Sequence, residues 1–348
     1  LDQHKNNLPK LYLRVSCRTA LWQSYFEDDL RVLWDGNNFQ KYELCPLTKS
    51  DVQSTLETRG IDSKQFFSEL HAKEIVGLAG KPLTLKLLMD VFERDGHFPE
   101  QKSQIYTQGC ELLIQEHDPA KRSDPTTKPS LTLVQKVAIA ERIAVATLVG
   151  SKPTVNLDGE IAEGEIGLSE IHGTEFVNDV PVAVGDEQIK EVLNSGLFSS
   201  RGNGKMGWAH QTYGEFLAAR YMARHKLDWK QTQSFLFHDP LKLGVFQVVP
   251  QLYEVSAWLA SLDPTFFDNA VPMDPEFLLL SDAKVITDLQ KQALAEQLLD
   301  KLAKGELLDR WEIYNTTNYR KLNHVGIAGQ IKPYIVDITK GIVVRRAA

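Results

Sequence analysis

Three short segments of this 348-residue chain place residues suited to anion or nucleotide contacts at the joints between expected elements. In Leu13-Arg14-Val15-Ser16-Cys17-Arg18-Thr19, Arg18 follows the C-terminal end of an expected strand. Open α/β sheets bind ligands at that end, and a guanidinium there can reach a terminal phosphate through forked, charge-assisted hydrogen bonds. In Val76-Gly77-Leu78-Ala79-Gly80-Lys81-Pro82-Leu83-Thr84-Leu85, one helix ends on glycine and the next opens at Pro82, whose ring offers a rigid apolar surface and no donor. In Trp208-Ala209-His210-Gln211-Thr212-Tyr213-Gly214-Glu215-Phe216-Leu217-Ala218-Ala219-Arg220-Tyr221, His210 stands where a strand passes into a helix. A helix N-terminus favours anions, and an imidazole there adds a donor. Each segment also has an ordinary structural reading: a surface arginine, a helix–helix joint, a packed histidine.

Several chemistries lack their residues. No GxxxxGK[ST] phosphate loop occurs: Gly80-Lys81 runs into Pro82, and Gly204-Lys205 runs into Met206 inside a hairpin. No apolar strand ends in the paired acids that hold Mg²⁺. There is no GxSxG and no Cys–His pair at nucleophile spacing. Cys17, Cys45 and Cys110 are scattered, without CxxC or a neighbouring His pair, so no metal site is expected. This cysteine usage fits a reducing compartment. With 43% hydrophobic and 24% charged residues, the composition is that of a soluble globular protein. A net charge of −7 argues against general binding to a phosphate backbone, although Arg201, Lys205, Arg220 and Arg224 offer a local basic set. No apolar run reaches the roughly 20 residues a membrane helix needs, and the N-terminus has no signal-peptide pattern. The expectation is therefore a cytoplasmic protein, off the membrane and not a nucleic-acid binder.

The elements that would position these residues are mostly helical. Alternating strand formers mark a strand at 11–16 and a shorter one at 39–44, with a short helix within 21–33. Thr48 caps a helix running through Leu56, with Asp51 at the capping-box position. Helices follow at 63–78, from Pro82 to Phe92, and at 101–116. Residues 118–130 read as a linker, and a long helix spans 131–149. The stretch 151–185 carries few signals. A short helix at 186–194 precedes strands at 197–200 and 206–209, joined by a tight turn at Arg201-Gly202-Asn203-Gly204-Lys205. A helix at 211–224 completes a winged-helix-like pattern. Beyond 228, helices at 255–262 and 285–302 alternate with Pro250, Pro264, Pro272 and Pro275, as in degenerate α-helical repeats. The tail 342–348 fits none of these.

The His210 segment resembles the winged-helix signature of NACHT-type STAND ATPases, in which a histidine leads into a Glu-Phe-Leu-Ala-Ala-x-Tyr helix. Trp208 and Gly214 depart from the commonest letters. Ser16-Cys17-Arg18-Thr19 resembles the sensor-1 strand end of that family. Tyr42-Glu43-Leu44-Cys45-Pro46-Leu47-Thr48 resembles the strand leading into its small helical domain. Ala79-Gly80-Lys81-Pro82-Leu83-Thr84-Leu85 resembles its proline motif. The four occur in the family's order, over about residues 8–225.

The resemblance implies a fold that is mainly α with a small α/β remnant. The expected domains are the end of an ATPase core at 1–47, a small helical lid at 48–117, a winged-helix-like domain at 118–227 and a helical-repeat sensor at 228–348. It implies an ATP/ADP switch in signalling or bacterial antiviral defence. His210 would contact the β-phosphate of ADP, Pro82 would lie beside adenine, and Arg18 would take a sensor-1-like catalytic role at the γ-phosphate. Mg²⁺ and the phosphate loop would belong upstream. The chain begins with Leu, so it is expected to be a fragment that binds nucleotide poorly and hydrolyses none. A protein ligand sensed by the repeats would open the clamp, and the intact protein would form a homo-oligomer. The competing expectation is a nucleotide-independent helical-repeat interaction scaffold.

Overall fold

The computed structural model describes residues 12–15, 24–34, 38–40, 42, 45–115, 131–202, 204–239, 244–282, 285–307 and 318–348. The chain is mainly α-helical with a small α/β part, whose described strands lie beyond residue 153. It divides into two compact units, residues 1–147 with 151–211, and residues 148–150 with 212–348. Among the described residues no helix is long and apolar enough to cross a membrane.

The first unit opens with helix α1 (Ser24–Leu33). Residues 12–15 form no strand, and Tyr12, Leu13 and Val15 are exposed. Alternation alone does not make a strand: the ladder needs a neighbour, and no described segment pairs here. The remainder of the expected strand, and Arg18 with it, lies outside the described residues. Phe39, Gln40 and Tyr42 likewise form no strand, and the rest of that expectation falls outside the described residues. So does the expected linker at 118–130.

Four helices follow: α2 (Lys49–Arg59), α3 (Ser63–Ala72), α4 (Pro82–Asp95) and α5 (Lys102–Ile114). The Thr48 capping box forms as expected. The Thr48 N–H donates to Asp51 Oδ2 at 2.8 Å and the Asp51 N–H to Thr48 Oγ1 at 3.3 Å. Phe66 is fully buried, with Phe92 and Phe98 edge-on at centroid separations of 5.2 and 5.4 Å. The expected helix 63–78 is broken. It ends at Ala72, Glu74 takes a left-handed φ of 56°, and the Ile75 N–H donates to the Leu70 carbonyl at 3.0 Å. That closure satisfies the helix end and buries Ile75. A separate 3₁₀ segment, Val76–Gly80, follows.

Helix α6 (Leu133–Leu148) then leads into strand β1 (Thr154–Asn156), strand β2 (Glu165–Gly167) and the single turn α7 (Leu168–Ile171). The hairpin β3 (Gly173–Val177) and β4 (Val180–Val184) follows, and then helix α8 (Asp186–Leu193). A second hairpin, β5 (Phe198–Ser200) and β6 (Lys205–Trp208), ends this stretch. The sheet runs β2-β1-β6-β5, with β1 parallel to β2 and antiparallel to β6. Without β2 and the β3–β4 hairpin, the order is helix, strand, two helices, hairpin, with the first strand paired to the hairpin. That order is winged-helix-like.

The second unit is helical. Helix α9 (Gln211–Arg224) begins at the division and buries Phe216 against Trp258 at 4.9 Å. Helix α10 (Trp229–Leu236) and a two-stranded ribbon, β7 (Phe237–His238) with β8 (Gln247–Val248), come next. Helices α11 (Tyr253–Leu262), α12 (Pro264–Ala270) and α13 (Asp288–Lys304) follow. The expected helix starting at 285 begins only at Asp288, because the Thr287 hydroxyl caps it by accepting from the Gln290 N–H at 3.2 Å. Last come α14 (Ile327–Val336) and α15 (Ile342–Ala347). The tail is thus a helix with a packing role: Val344 is fully buried against Leu299 and Leu302 of α13.

Asp274 ties this unit together from inside. Its carboxylate accepts from the Val248 N–H at 2.9 Å, and burial raises its pKa above the ordinary carboxylate value. The folded state therefore holds this proton more tightly than the unfolded chain does. The charged form costs stability at neutral pH, and the cost is relieved as pH falls through the raised pKa. Asp274→Asn is expected to flatten the pH dependence of melting across that window, measured by thermal denaturation from pH 7 to 4. An unchanged difference between the two proteins at every pH would remove Asp274 as the cause.

Candidate functional site

The site is built at the joint between the 3₁₀ segment and α4, within the first unit. The Leu47 N–H donates to the Gly80 carbonyl at 2.8 Å, so the Cys45–Thr48 segment lies along the joint, with Pro46 in ordinary contact at Gly80. Thr84 is buried. Its hydroxyl donates to the Leu78 carbonyl, with the Lys81 carbonyl 3.3 Å away. These bonds fix the turn that carries Lys81 and Pro82. Pro82 occupies the first position of α4 and is exposed, so one apolar ring faces solvent there.

His210 reaches this joint from the end of β6. The Trp208 Nε1–H donates to the Thr147 hydroxyl of α6 at 3.1 Å, and its ring lies 4.4 Å from that of Phe198. The Ala209 N–H donates to the Leu197 carbonyl, and the Gly196 N–H to the Leu113 carbonyl at the end of α5, both at 2.8 Å. The end of β6 is therefore tied to α5. The half-buried His210 ring lies against the joint: a Cβ built on Gly77 would sit 3.1 Å from its Nε2 and 3.2 Å from its Cε1.

Two further cations share this surface. Lys81 is half-buried at the joint, and Arg201 stands at the base of the β5–β6 hairpin. Arg201 Nη2 donates to the Trp208 carbonyl at 2.8 Å. Burial, and then the Lys81 charge, holds the His210 pKa below the usual histidine value. Burial, and then the Arg201 charge, lowers that of Lys81. The joint is electropositive, and each cation makes its neighbour costlier to charge. Such a donor set suits a phosphate.

The structure thus brings together His210, Pro82 and the Cys45–Thr48 segment, while Arg18 lies outside the described residues. Lys81 and Arg201 escaped the sequence reading. Arg201 had been grouped with Lys205, Arg220 and Arg224 as a basic set. Lys205 instead pairs with the buried Glu165, and the Arg220 and Arg224 guanidiniums lie over the Phe216 and Tyr221 rings. Among the described residues no group of three His, Cys, Asp or Glu side chains is placed to hold a metal ion. Comparison with protein-family models, with curated proteins and with solved structures gives no match to this chain.

Proposed function

We propose that this chain is the gating part of a NACHT-type STAND signalling ATPase, a switch closed by ADP and opened when ATP replaces it. One observation carries the reading. His210 and Gly77, 133 positions apart in sequence, are in contact, which sets the histidine that the resemblance assigns to the β-phosphate two residues from the Ala79–Leu85 segment that it assigns to adenine. His210 presents a ring nitrogen to the terminal phosphate, and the exposed Pro82 ring flanks the base. Arg18 takes the sensor-1-like role that the resemblance gives it. Bound ADP supplies the anion that balances the positive joint and so favours the closed arrangement. The phosphate loop and the Mg²⁺-binding acids come from another segment of the complete protein. The helices beyond 228 serve as the sensor for a protein ligand, and opening leads to a homo-oligomer in the cytoplasm.

The test follows the His210 ring by NMR in the full chain, with His210→Asn to assign its signal. With millimolar ADP the ring signal is expected to move, and its pKa to rise, because an anion favours the protonated form. A ring signal and pKa indifferent to ADP would sink the switch and favour the nucleotide-independent helical-repeat scaffold.

A further inference from the structure

We propose that Lys81 and Arg201 complete the phosphate-binding end of this site, and that together with His210 they select a terminal phosphate dianion over a phosphodiester. The inference rests on the switch reading and deepens it by naming two ligands and a ligand class.

The geometry singles out both side chains. Arg201 is exposed, but its side chain folds back over its own hairpin. Its stem crosses β6 at Gly207, where an added Cβ would stand 2.7 Å from Nε and 3.1 Å from Cγ. Its Nη2 is then fixed on the Trp208 carbonyl, two residues before His210. Two glycines therefore leave room for two side chains, Gly207 for Arg201 and Gly77 for His210. Lys81 comes four residues after Gly77, on the same joint.

The charge balance points the same way. Among the described residues neither Lys81 nor Arg201 forms an ion pair, whereas Lys205, across the hairpin turn from Arg201, is paired with Glu165. The bond to the Trp208 carbonyl uses one of the five guanidinium N–H donors and leaves the others for a ligand. A half-buried ammonium whose charged neighbour is another cation is destabilised until an anion arrives. Lys81 and Arg201 are two cationic side chains. A terminal phosphate carries close to two negative charges at pH 7, since its second pKa is about 6. His210 contributes a further ring N–H donor. A phosphodiester, with one negative charge and two non-bridging oxygens instead of three, matches this set poorly. The ligand class is a nucleoside diphosphate or another compound ending in a phosphate, and not a nucleic-acid backbone.

The experiment is calorimetric and NMR titration of the full chain with ADP, with inorganic pyrophosphate and, separately, with cyclic AMP and a short DNA duplex. Four proteins are compared: the unaltered chain, Lys81→Met, Arg201→Gln, and Lys86→Met as a charge control on the exposed side of α4. Lys81→Met and Arg201→Gln are each expected to weaken ADP and pyrophosphate about fivefold, the upper range for a partly exposed ion pair. Lys86→Met should leave both ligands unchanged. Cyclic AMP and the duplex should bind the unaltered chain far more weakly than ADP. The inference is overturned if Lys81→Met and Arg201→Gln bind ADP as well as Lys86→Met does, or if the phosphodiesters bind as tightly as ADP. The switch reading fails separately if ADP binds but His210→Ala leaves its affinity unchanged. If no phosphate compound binds the unaltered chain at millimolar concentration, both fall.

Discussion

Arg142→Met is expected to destabilise the first unit by about 3 kcal/mol, the low end of the range for removing one partner of a buried ion pair. Arg142 projects from α6, and Glu175 on β3 is fully buried. The guanidinium makes three bonds at once: Nη1 to Glu175 Oε1 at 3.0 Å, Nε to the Ile171 carbonyl at 2.6 Å, and Nη2 to the His172 carbonyl at 2.6 Å. Methionine fills a similar volume and supplies no donor. The variant therefore takes the compensating cation from a carboxylate that cannot reach water, along with the donors to two carbonyls. The lower figure is appropriate because the Arg142 side chain is 23% exposed, so solvent screens part of the pair. Replacing both, as Arg142→Met with Glu175→Met, is expected to recover most of the loss, because no buried charge remains. Urea denaturation of the two single variants and the double variant measures this as a coupling energy. A cost below about 1 kcal/mol for Arg142→Met would mean that Glu175 is compensated by other groups.

This pair belongs to the part of the chain least legible in its sequence. Strands β1 and β2 have three residues each, too short for alternation to register against their neighbours. Strand β1 is held by long-range pairing with β6, about 50 residues away, and β2 by pairing with β1, which no local pattern carries. The β3–β4 hairpin did leave a signal. Asn178 and Asp179, with φ of 50° and 63°, form a two-residue turn of the kind such pairs favour. The acidic, glycine-containing text around them masked it. The helices were easier, since each writes its own cap, as Thr48 and Asp51 do. Where the sequence reading failed on a helix, at 63–78, a burial requirement won. Ile75 turns back onto the core and forces Glu74 into a left-handed conformation that costs roughly 1 kcal/mol. The tail was illegible for the same reason: Val344 has meaning only beside Leu299 and Leu302.

The site was legible where a single residue sits at a joint, as His210 and Pro82 do, and illegible where it depends on convergence. Lys81 and Arg201 are 120 positions apart, and surface cations are common, so nothing in the text pairs them. Gly77 passed for an ordinary helix end. Its functional weight comes only from the ring that rests on it.

Gly77→Val is accordingly expected to abolish the phosphate response while leaving the fold in place. The ideal Cβ position is already 3.1 Å from His210 Nε2, closer than most Cβ contacts, and valine adds two methyls beyond it. The ring cannot share that space and must swing out. Gly77 does not have a positive φ, so the backbone can accept the new residue and the disturbance stays with the histidine. Two consequences separate this outcome from general damage. Burial is the main reason the His210 pKa is low, and Lys81 the second, so a displaced ring regains solvent and its pKa rises toward the usual histidine value even without ligand. The ADP-induced movement of the ring signal should then disappear, with affinity for ADP falling at least about tenfold, the worth of one charge-assisted hydrogen bond. Gly77→Ala, whose single methyl asks the ring to yield only a few tenths of an ångström, should fall between valine and the unaltered chain on both measures. A pH titration of the His210 ring in the three proteins decides it. If the pKa stays low in Gly77→Val and ADP still moves the signal, the ring does not depend on this glycine, and the joint is a packing contact between lid and winged helix rather than a phosphate clamp.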